Sequence, residues 1–116
     1  MFRSLEVWHE SVDLIKKIYT LAEELPKSEE YNLKTQLKRA ATSVALNIAE
    51  GKSRATGKDF AHFLNMASAS LSETSAILCL CNELNILTHN EKLDDQINLL
   101  NKRINALRLS ILKDKK

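Results

Sequence analysis

Apolar side chains recur at intervals of three and four residues in four separate stretches of this chain. That spacing gathers them on one side of an α-helix, so each stretch predicts an amphipathic helix with a buried face. The four helices are predicted at about 5–25, 28–51, 57–84 and 90–113. Short connections between them favour an all-α fold, an up-down-up-down antiparallel four-helix bundle.

Local signals set the boundaries of the first three helices. Pro26 should end the first helix, because the residue before a proline is pushed out of the helical region. Ser28 is a good N-cap for the second helix, and Gly51 is the preferred kind of residue for its C-cap. Thr56 is predicted to cap the third helix, with Asp59 completing a capping box.

The fourth helix has two candidate N-caps, Thr88 in a capping box and Asn90. Its buried stripe is an unbroken alternation of three and four residues. Leu99, Leu109 and Leu112 fall off that stripe. Some apolar surface is therefore expected to remain uncovered on this helix.

The second helix carries a polar stripe beside its apolar one. Its members recur at three and four residues, so they stack along one line: Gln36, Arg39, Ser43, Asn47 and Glu50. One interpretation is an ordinary exposed face. The other is a polar network shared between helices or subunits, because an unpaired buried polar group costs roughly 1–3 kcal/mol. Glu73 on the third helix is a candidate partner for Arg39 by charge.

The third face of the second helix is small-sided, with Ala45 and Ala49, and would permit close approach of another helix or subunit. Three occupied faces on one helix are more than a solitary bundle can cover. We therefore predict a homo-oligomer.

Composition fits one soluble domain over residues 1–116. Apolar residues make up 44% and charged residues 28%, with two glycines and one proline, which is typical of a helical protein. Cys79 and Cys81 point apart on one helix and cannot form a disulfide with each other. No signal peptide or apolar span of transmembrane length is visible, so we expect a cytoplasmic protein that does not enter membranes.

The net charge of +2 hides an alternation along the chain. Residues 1–33 sum to −3, residues 34–58 to +5, residues 59–95 to −5 and residues 96–116 to +5. Attraction between neighbouring helices is one explanation. A basic surface for RNA or DNA is the other. Its candidate residues are Lys34, Lys38, Lys52, Arg54, Lys58, Lys102, Arg103 and Arg108.

Motifs for catalysis are weak. Gly51 to Lys58 superficially resembles a phosphate-binding loop, but five residues rather than four separate its glycines and Asp59 replaces the magnesium-binding hydroxyl. His62, Cys79 and Cys81 do not have the spacing of a metal set. The prediction is a non-enzymatic protein with no metal and no cofactor.

The central part of the chain resembles a known family, the bacterial four-helix-bundle proteins encoded in intervening sequences of 23S ribosomal RNA genes. The resemblance covers about residues 5–84 and rests on these positions: Pro26, Glu29, Tyr31, Leu33, Gln36-Leu37, Arg39-Ala40-Ala41, Ser43-Val44, Asn47-Ile48-Ala49-Glu50-Gly51, Arg54, Phe60, Phe63-Leu64, Ala67, Ser70 and Glu73. Two departures are Ala45, where the family often has proline, and Ala69, where it often has glycine.

The resemblance implies a pentamer, since that family forms five-fold rings. Structurally similar retroelement accessory proteins are basic pentamers that bind nucleic acid and a reverse transcriptase, which implies RNA, DNA or a nucleic-acid enzyme as partners. Two functions follow as hypotheses. One is an oligomeric scaffold that binds nucleic acid, and the other is a protein-interaction module that binds none.

Overall fold

The computed structural model describes residues 1–114 and contains four long helices. They are α1 Glu6–Ala22, α2 Leu33–Lys52, α3 Gly57–Glu83 and α4 Glu91–Lys113. Short 3-10 turns at Phe2–Ser4 and Lys27–Glu29 precede α1 and α2. Sequential neighbours pack antiparallel, and α1 closes the bundle against α4. The predicted all-α, up-down-up-down four-helix bundle is confirmed.

Two of the predicted caps are present. Thr56 Oγ1 accepts a hydrogen bond from the backbone N–H of Asp59 at 3.1 Å, so α3 begins where expected. At α4, Asn90 rather than Thr88 is the cap, and its Oδ1 accepts from the backbone N–H of Leu93 at 3.0 Å. Each cap satisfies an amide that the first helical turn leaves without a partner.

The predicted start of the second helix at Ser28 is wrong. Ser28 lies in the 3-10 turn, and α2 begins five residues later at Leu33. The carboxylate of Glu29 accepts from the side-chain amide of Asn32 at 3.0 Å and from the backbone N–H of Leu33 at 3.5 Å. Glu29 thus contacts one of the backbone amides that the first turn of α2 leaves without a helical partner.

The predicted role of Gly51 as a C-cap is also wrong. Gly51 is buried within the last turn of α2, which continues to Lys52. A Cβ added there would lie 2.8 Å from Cβ of Phe63 and 2.9 Å from Cδ1 of Phe60. Gly51 is therefore required by the close approach of α3, and not by a left-handed helix end.

The core runs the length of the bundle, whose extents are 50 × 24 × 19 Å. Leu37, Val44 and Ile48 of α2 are completely buried, together with Leu64 of α3 and Ile104 of α4. These are positions that the three-and-four spacing placed on the inner faces. None of the helices within residues 1–114 is long and apolar enough to cross a membrane.

Candidate functional site

The polar stripe of α2 makes one direct bond to another helix. Ser70 Oγ of α3 donates to Ser43 Oγ at 2.9 Å, and the amide of Asn47 donates to the carbonyl and hydroxyl oxygens of Ser43 at 2.9 and 3.0 Å. All three side chains are half-buried. This part of the stripe therefore ties α2 to α3.

Other members of the stripe bond locally. Gln36 donates to Asn32 one turn earlier at 2.9 Å. Glu50 forms an ion pair with Arg54, four residues further along the chain. Within one subunit the stripe is thus partly a network between helices and partly an exposed face, and a role between subunits stays a prediction.

Arg39 and Glu73 do not pair with each other, and within residues 1–114 neither forms an ion pair. Both are exposed and both border one shallow groove of about 460 Å³ between α2 and α3. The groove is lined by Arg39, Ala40, Thr42, Ser43, Leu46 and Glu73. Its apolar floor thus has a cation and a carboxylate on its rim.

The eight predicted basic residues fall into three separate groups. In the first, Lys34 and Lys38 face α1 and pair with Glu23 at 3.1 and 3.3 Å. Hydrogen bonds from the two lysines lower the pKa of Glu23. Hydrogen bonds to Glu30 and Glu23 raise the pKa of Lys34. These two cations are therefore largely neutralised within the protein.

The second group surrounds the loop from α2 to α3. Arg54 lies over the ring of Phe63 at 4.6 Å, and the ammonium of Lys52 lies 5.7 Å from the ring centre of Phe60. Lys58 is exposed in the first turn of α3. Ring contacts of this kind hold the aliphatic parts of the two side chains in place. The guanidinium of Arg54 also pairs with Glu50, whereas Lys52 and Lys58 have no ion-pair partner within residues 1–114.

The third group lies along α4. Arg103 pairs with Glu10 of α1, and Arg108 Nε donates to Asn105 at 3.3 Å. Lys102 is exposed and, within residues 1–114, has no ion-pair partner. The structure therefore does not join all eight cations into one surface.

A charge separation along the long axis replaces the single predicted patch. Residues 1–9, 48–62 and 105–114 meet at one end and carry six basic and four acidic side chains, a net +2. Residues 20–36 and 80–96 meet at the other end and carry three basic and eight acidic side chains, a net −5. We call these the basic end and the acidic end.

Sequence reasoning overlooked a second exposed feature, a row on the outer side of α4 that we call the α4 stripe. It consists of Asp95, Leu99, Lys102, Ala106 and Leu109, all exposed. Their spacing of three and four residues was visible in the sequence, as was the off-core position of Leu99. The sequence also shows a charged residue four positions before Leu99, Asp95, and another three positions after it, Lys102. This pattern could have identified the stripe.

In the part of the chain that is described, no three histidine, cysteine or acidic side chains lie close enough together to hold a metal ion. Cys81 is buried, which raises the pKa of its thiol, and Cys79 is exposed; both are free. Two further open grooves lie between α1 and α4.

The fold defines the class of protein, a small all-α four-helix bundle. Its most distinctive surfaces are the groove between α2 and α3 and the basic end. The chain belongs to the 23S rRNA-intervening sequence protein family, whose model matches residues 3–106. The predicted family membership is thereby confirmed.

A solved structure gives the same indication. The chain is similar to a protein with unknown function from the S23 ribosomal protein family of Bacteroides thetaiotaomicron, with 28% identity and a TM-score of 0.71. The similarity covers 92% of this chain and 98% of that one. Comparison with curated proteins finds no match.

Proposed function

We propose that this protein is a non-enzymatic homo-oligomeric scaffold, a pentameric ring by family resemblance, that binds RNA or DNA in the cytoplasm through its basic end. The observation that carries this proposal is the separation of charge along the 50 Å axis, net +2 at one end and −5 at the other. A polyanion is attracted by one end and repelled by the other.

Self-association is supported by apolar surface left outside the core. Leu46 is 64% exposed, Leu99 48% and Leu109 58%. Single exposed leucines are common on soluble proteins, but here they lie on the groove and on the α4 stripe, beside charges that lack partners within the subunit. A second subunit would cover both kinds of group at once.

Assembly would also strengthen nucleic-acid binding. The cations at one basic end are too few for tight binding, because affinity grows with the number of phosphates neutralised. A ring whose axis is parallel to the helices would place all the basic ends on one side. Contacts to several phosphates would then add up along one strand.

Fluorescence anisotropy with a labelled single-stranded RNA tests the proposal at two salt concentrations. Observed affinity should fall with salt with a logarithmic slope of about −0.7 for each phosphate contacted. The variant Lys52→Gln/Arg54→Gln/Lys58→Gln should lose most of the binding and part of the slope.

The matched control removes the same number of positive charges elsewhere, in Lys16→Gln/Lys27→Gln/Lys92→Gln. These lysines lie on the acidic half of the bundle, so affinity should change little. No binding by the intact protein at low salt would contradict the proposal. Equal losses in the two triple variants would show that net charge, and not the basic end, is responsible.

A second candidate is a protein-interaction module that assembles but binds no nucleic acid. Ion pairs within the subunit favour it, because they neutralise four of the eight predicted cations: Lys34, Lys38, Arg54 and Arg103. The protein would then be an oligomer in solution, and adding it at low salt would leave the anisotropy of labelled RNA and labelled DNA unchanged.

A further inference from the structure

We infer that the basic end binds an unpaired nucleobase, which stacks on the guanidinium of Arg54 where that group lies over the ring of Phe63. The occupant is therefore a single strand of RNA or DNA, and not a duplex. The inference rests on the proposed function and names the kind of nucleic acid that this end takes. The carrying observation is that cations and aromatic rings are in contact there.

Aromatic rings are concentrated where the bundle carries its net positive charge. Four of the six phenylalanine, tyrosine and tryptophan rings of the chain lie in or beside the basic end, all half-buried: Phe2, Trp8, Phe60 and Phe63. Phosphates are attracted by charge alone, and rings add nothing to that attraction. Unpaired bases, in contrast, stack on aromatic side chains and on the guanidinium planes of arginines.

Arg54 is held in place from two directions. Its Cζ atom lies 4.6 Å from the ring centre of Phe63, and its guanidinium forms an ion pair with Glu50. The side chain of Arg54 nevertheless remains 41% exposed, so part of its planar group is open to a ligand. A base stacked there would continue a column that begins with the phenylalanine ring.

The rings beneath the cations are anchored to α2. Phe60 and Phe63 lie one turn apart on α3, and a Cβ added at Gly51 would be 2.9 Å from Cδ1 of Phe60 and 2.8 Å from Cβ of Phe63. The missing side chain at Gly51 thus lets α2 lie directly against both residues. A platform fixed in this way loses little conformational freedom when a ligand binds.

The combination of a cation and a ring recurs at the same end. The ammonium of Lys52 lies 5.7 Å from the ring centre of Phe60. Arg3 lies 5.9 Å from the ring centre of Phe2, in a 3-10 turn that packs against α2. A strand that is bound at Arg54 therefore has further stacking positions close by.

Charge alone gives the loop between α2 and α3 little affinity. Residues 48–62 carry Lys52, Arg54 and Lys58 against Glu50 and Asp59, a net +1. A duplex keeps its base faces stacked inside, so it would gain only this weak attraction for its phosphates. A single strand presents phosphates and base faces together. The ring contacts therefore favour the single strand.

An abasic strand separates stacking from charge, because it keeps every phosphate and lacks the bases. In fluorescence anisotropy, labelled oligothymidine should bind at least about fivefold more tightly than the abasic strand of the same length, as expected when one base stacks. The matching duplex should also bind more weakly than oligothymidine. Oligouridine in its place shows whether RNA or DNA is preferred, and both single strands should exceed the abasic one.

Arg54→Lys keeps the positive charge and removes the planar group. Its affinity for oligothymidine should fall by about fivefold or more, whereas its affinity for the abasic strand and its salt dependence should stay the same. Phe63→Leu should act in the same way, with circular dichroism confirming that it folds.

Arg108→Lys is the matched control for Arg54→Lys. It makes the same exchange at the basic end, and within residues 1–114 Arg108 lies over no aromatic ring. This variant should bind oligothymidine like the unchanged protein.

The outcomes are distinct. An unchanged protein that binds none of these strands at low salt would overturn the proposed function itself. Equal affinity for oligothymidine, the abasic strand and the duplex would leave nucleic-acid binding in place and overturn base stacking. A preference for bases that neither Arg54→Lys nor Phe63→Leu reduces would overturn the assignment to these two residues.

Discussion

The α2–α3 side and the α1–α4 side of the bundle are built by different means. Small groups close the first: Gly51 lies directly against Phe63, and the hydroxyls of Ser43 and Ser70 meet at 2.9 Å. Its outer groove still presents unpaired charges. The inner contact is thus complete, while the outer surface is suited to another molecule.

Long side chains bridge the α1–α4 side. The ammonium of Lys17 donates to Gln96 at 2.7 Å, and Arg103 pairs with Glu10. Open grooves of about 480 and 420 Å³ lie along this seam. Lys16, Glu24 and Lys92 border the first of these grooves and have no ion-pair partner within residues 1–114, so this seam is joined by a few long side chains in contact with water.

The difference shows where stability and recognition reside. Tight packing of small groups makes the α2–α3 contact sensitive to single added atoms, because a packed interior has no spare volume. Solvated bridges at α1–α4 tolerate change, because exposed ion pairs contribute little.

The largest effect is expected at Gly51. In Gly51→Ala the new methyl group would overlap Phe63 and Phe60, and the free energy of unfolding should fall by about 1–3 kcal/mol. That loss exceeds the gain of up to about 1 kcal/mol that alanine brings to a helix over glycine. Urea denaturation followed by circular dichroism measures it.

Gly57→Ala is the control for this change, since Gly57 is half-exposed in the first turn of α3 and no described glycine has a positive φ. Its stability should stay the same or rise slightly. A Gly51→Ala protein as stable as the unchanged one would show that the α2–α3 contact is looser than described.

A smaller effect is expected for the ion pair across α1 and α4. A double-mutant cycle of Arg103→Ala and Glu10→Gln should give a coupling below about 1 kcal/mol, because Arg103 is half-exposed and its charge is screened. The same denaturation assay applies. A coupling of several kcal/mol would mean that this side is as tightly built as the other.

The smallest effect concerns pH and the contact of Glu23 with α2. The lysines lower the pKa of Glu23 in the folded state, so its contribution is present above the ordinary value of 4.5 and is lost as pH falls through the lowered pKa. The urea midpoint should therefore drop slightly more on acidification for the unchanged protein than for Glu23→Gln.

The reverse holds for Lys34 in alkali. Its raised pKa means that the contribution is present below the ordinary value of 10.5 and is lost as pH rises through the raised value. Identical acid profiles for the unchanged protein and Glu23→Gln would contradict the prediction for the carboxylate.

Most of the fold could be predicted from the sequence, because the inner stripes follow a period that any helical bundle must have. Leu37, Val44 and Ile48 are as buried as their spacing required. Gly51 was misread because glycine at a helix end most often marks a left-handed cap, and only the position of α3 shows the alternative.

The candidate site was less predictable. Spacing showed which side chains share a helix face, but it could not show that Glu23 would neutralise Lys34 and Lys38, since that depends on how α1 and α2 pack. It also could not show that Ser43 and Ser70 lie at the same height, because that register depends on how α2 packs against α3.

Self-association is the central claim, and the mass of the unmodified protein in solution tests it most directly. Light scattering coupled to size exclusion, over a range of concentrations, should give a stable multiple of 13.1 kDa. A well-folded species of 13.1 kDa at every concentration, including the highest, would contradict the claim.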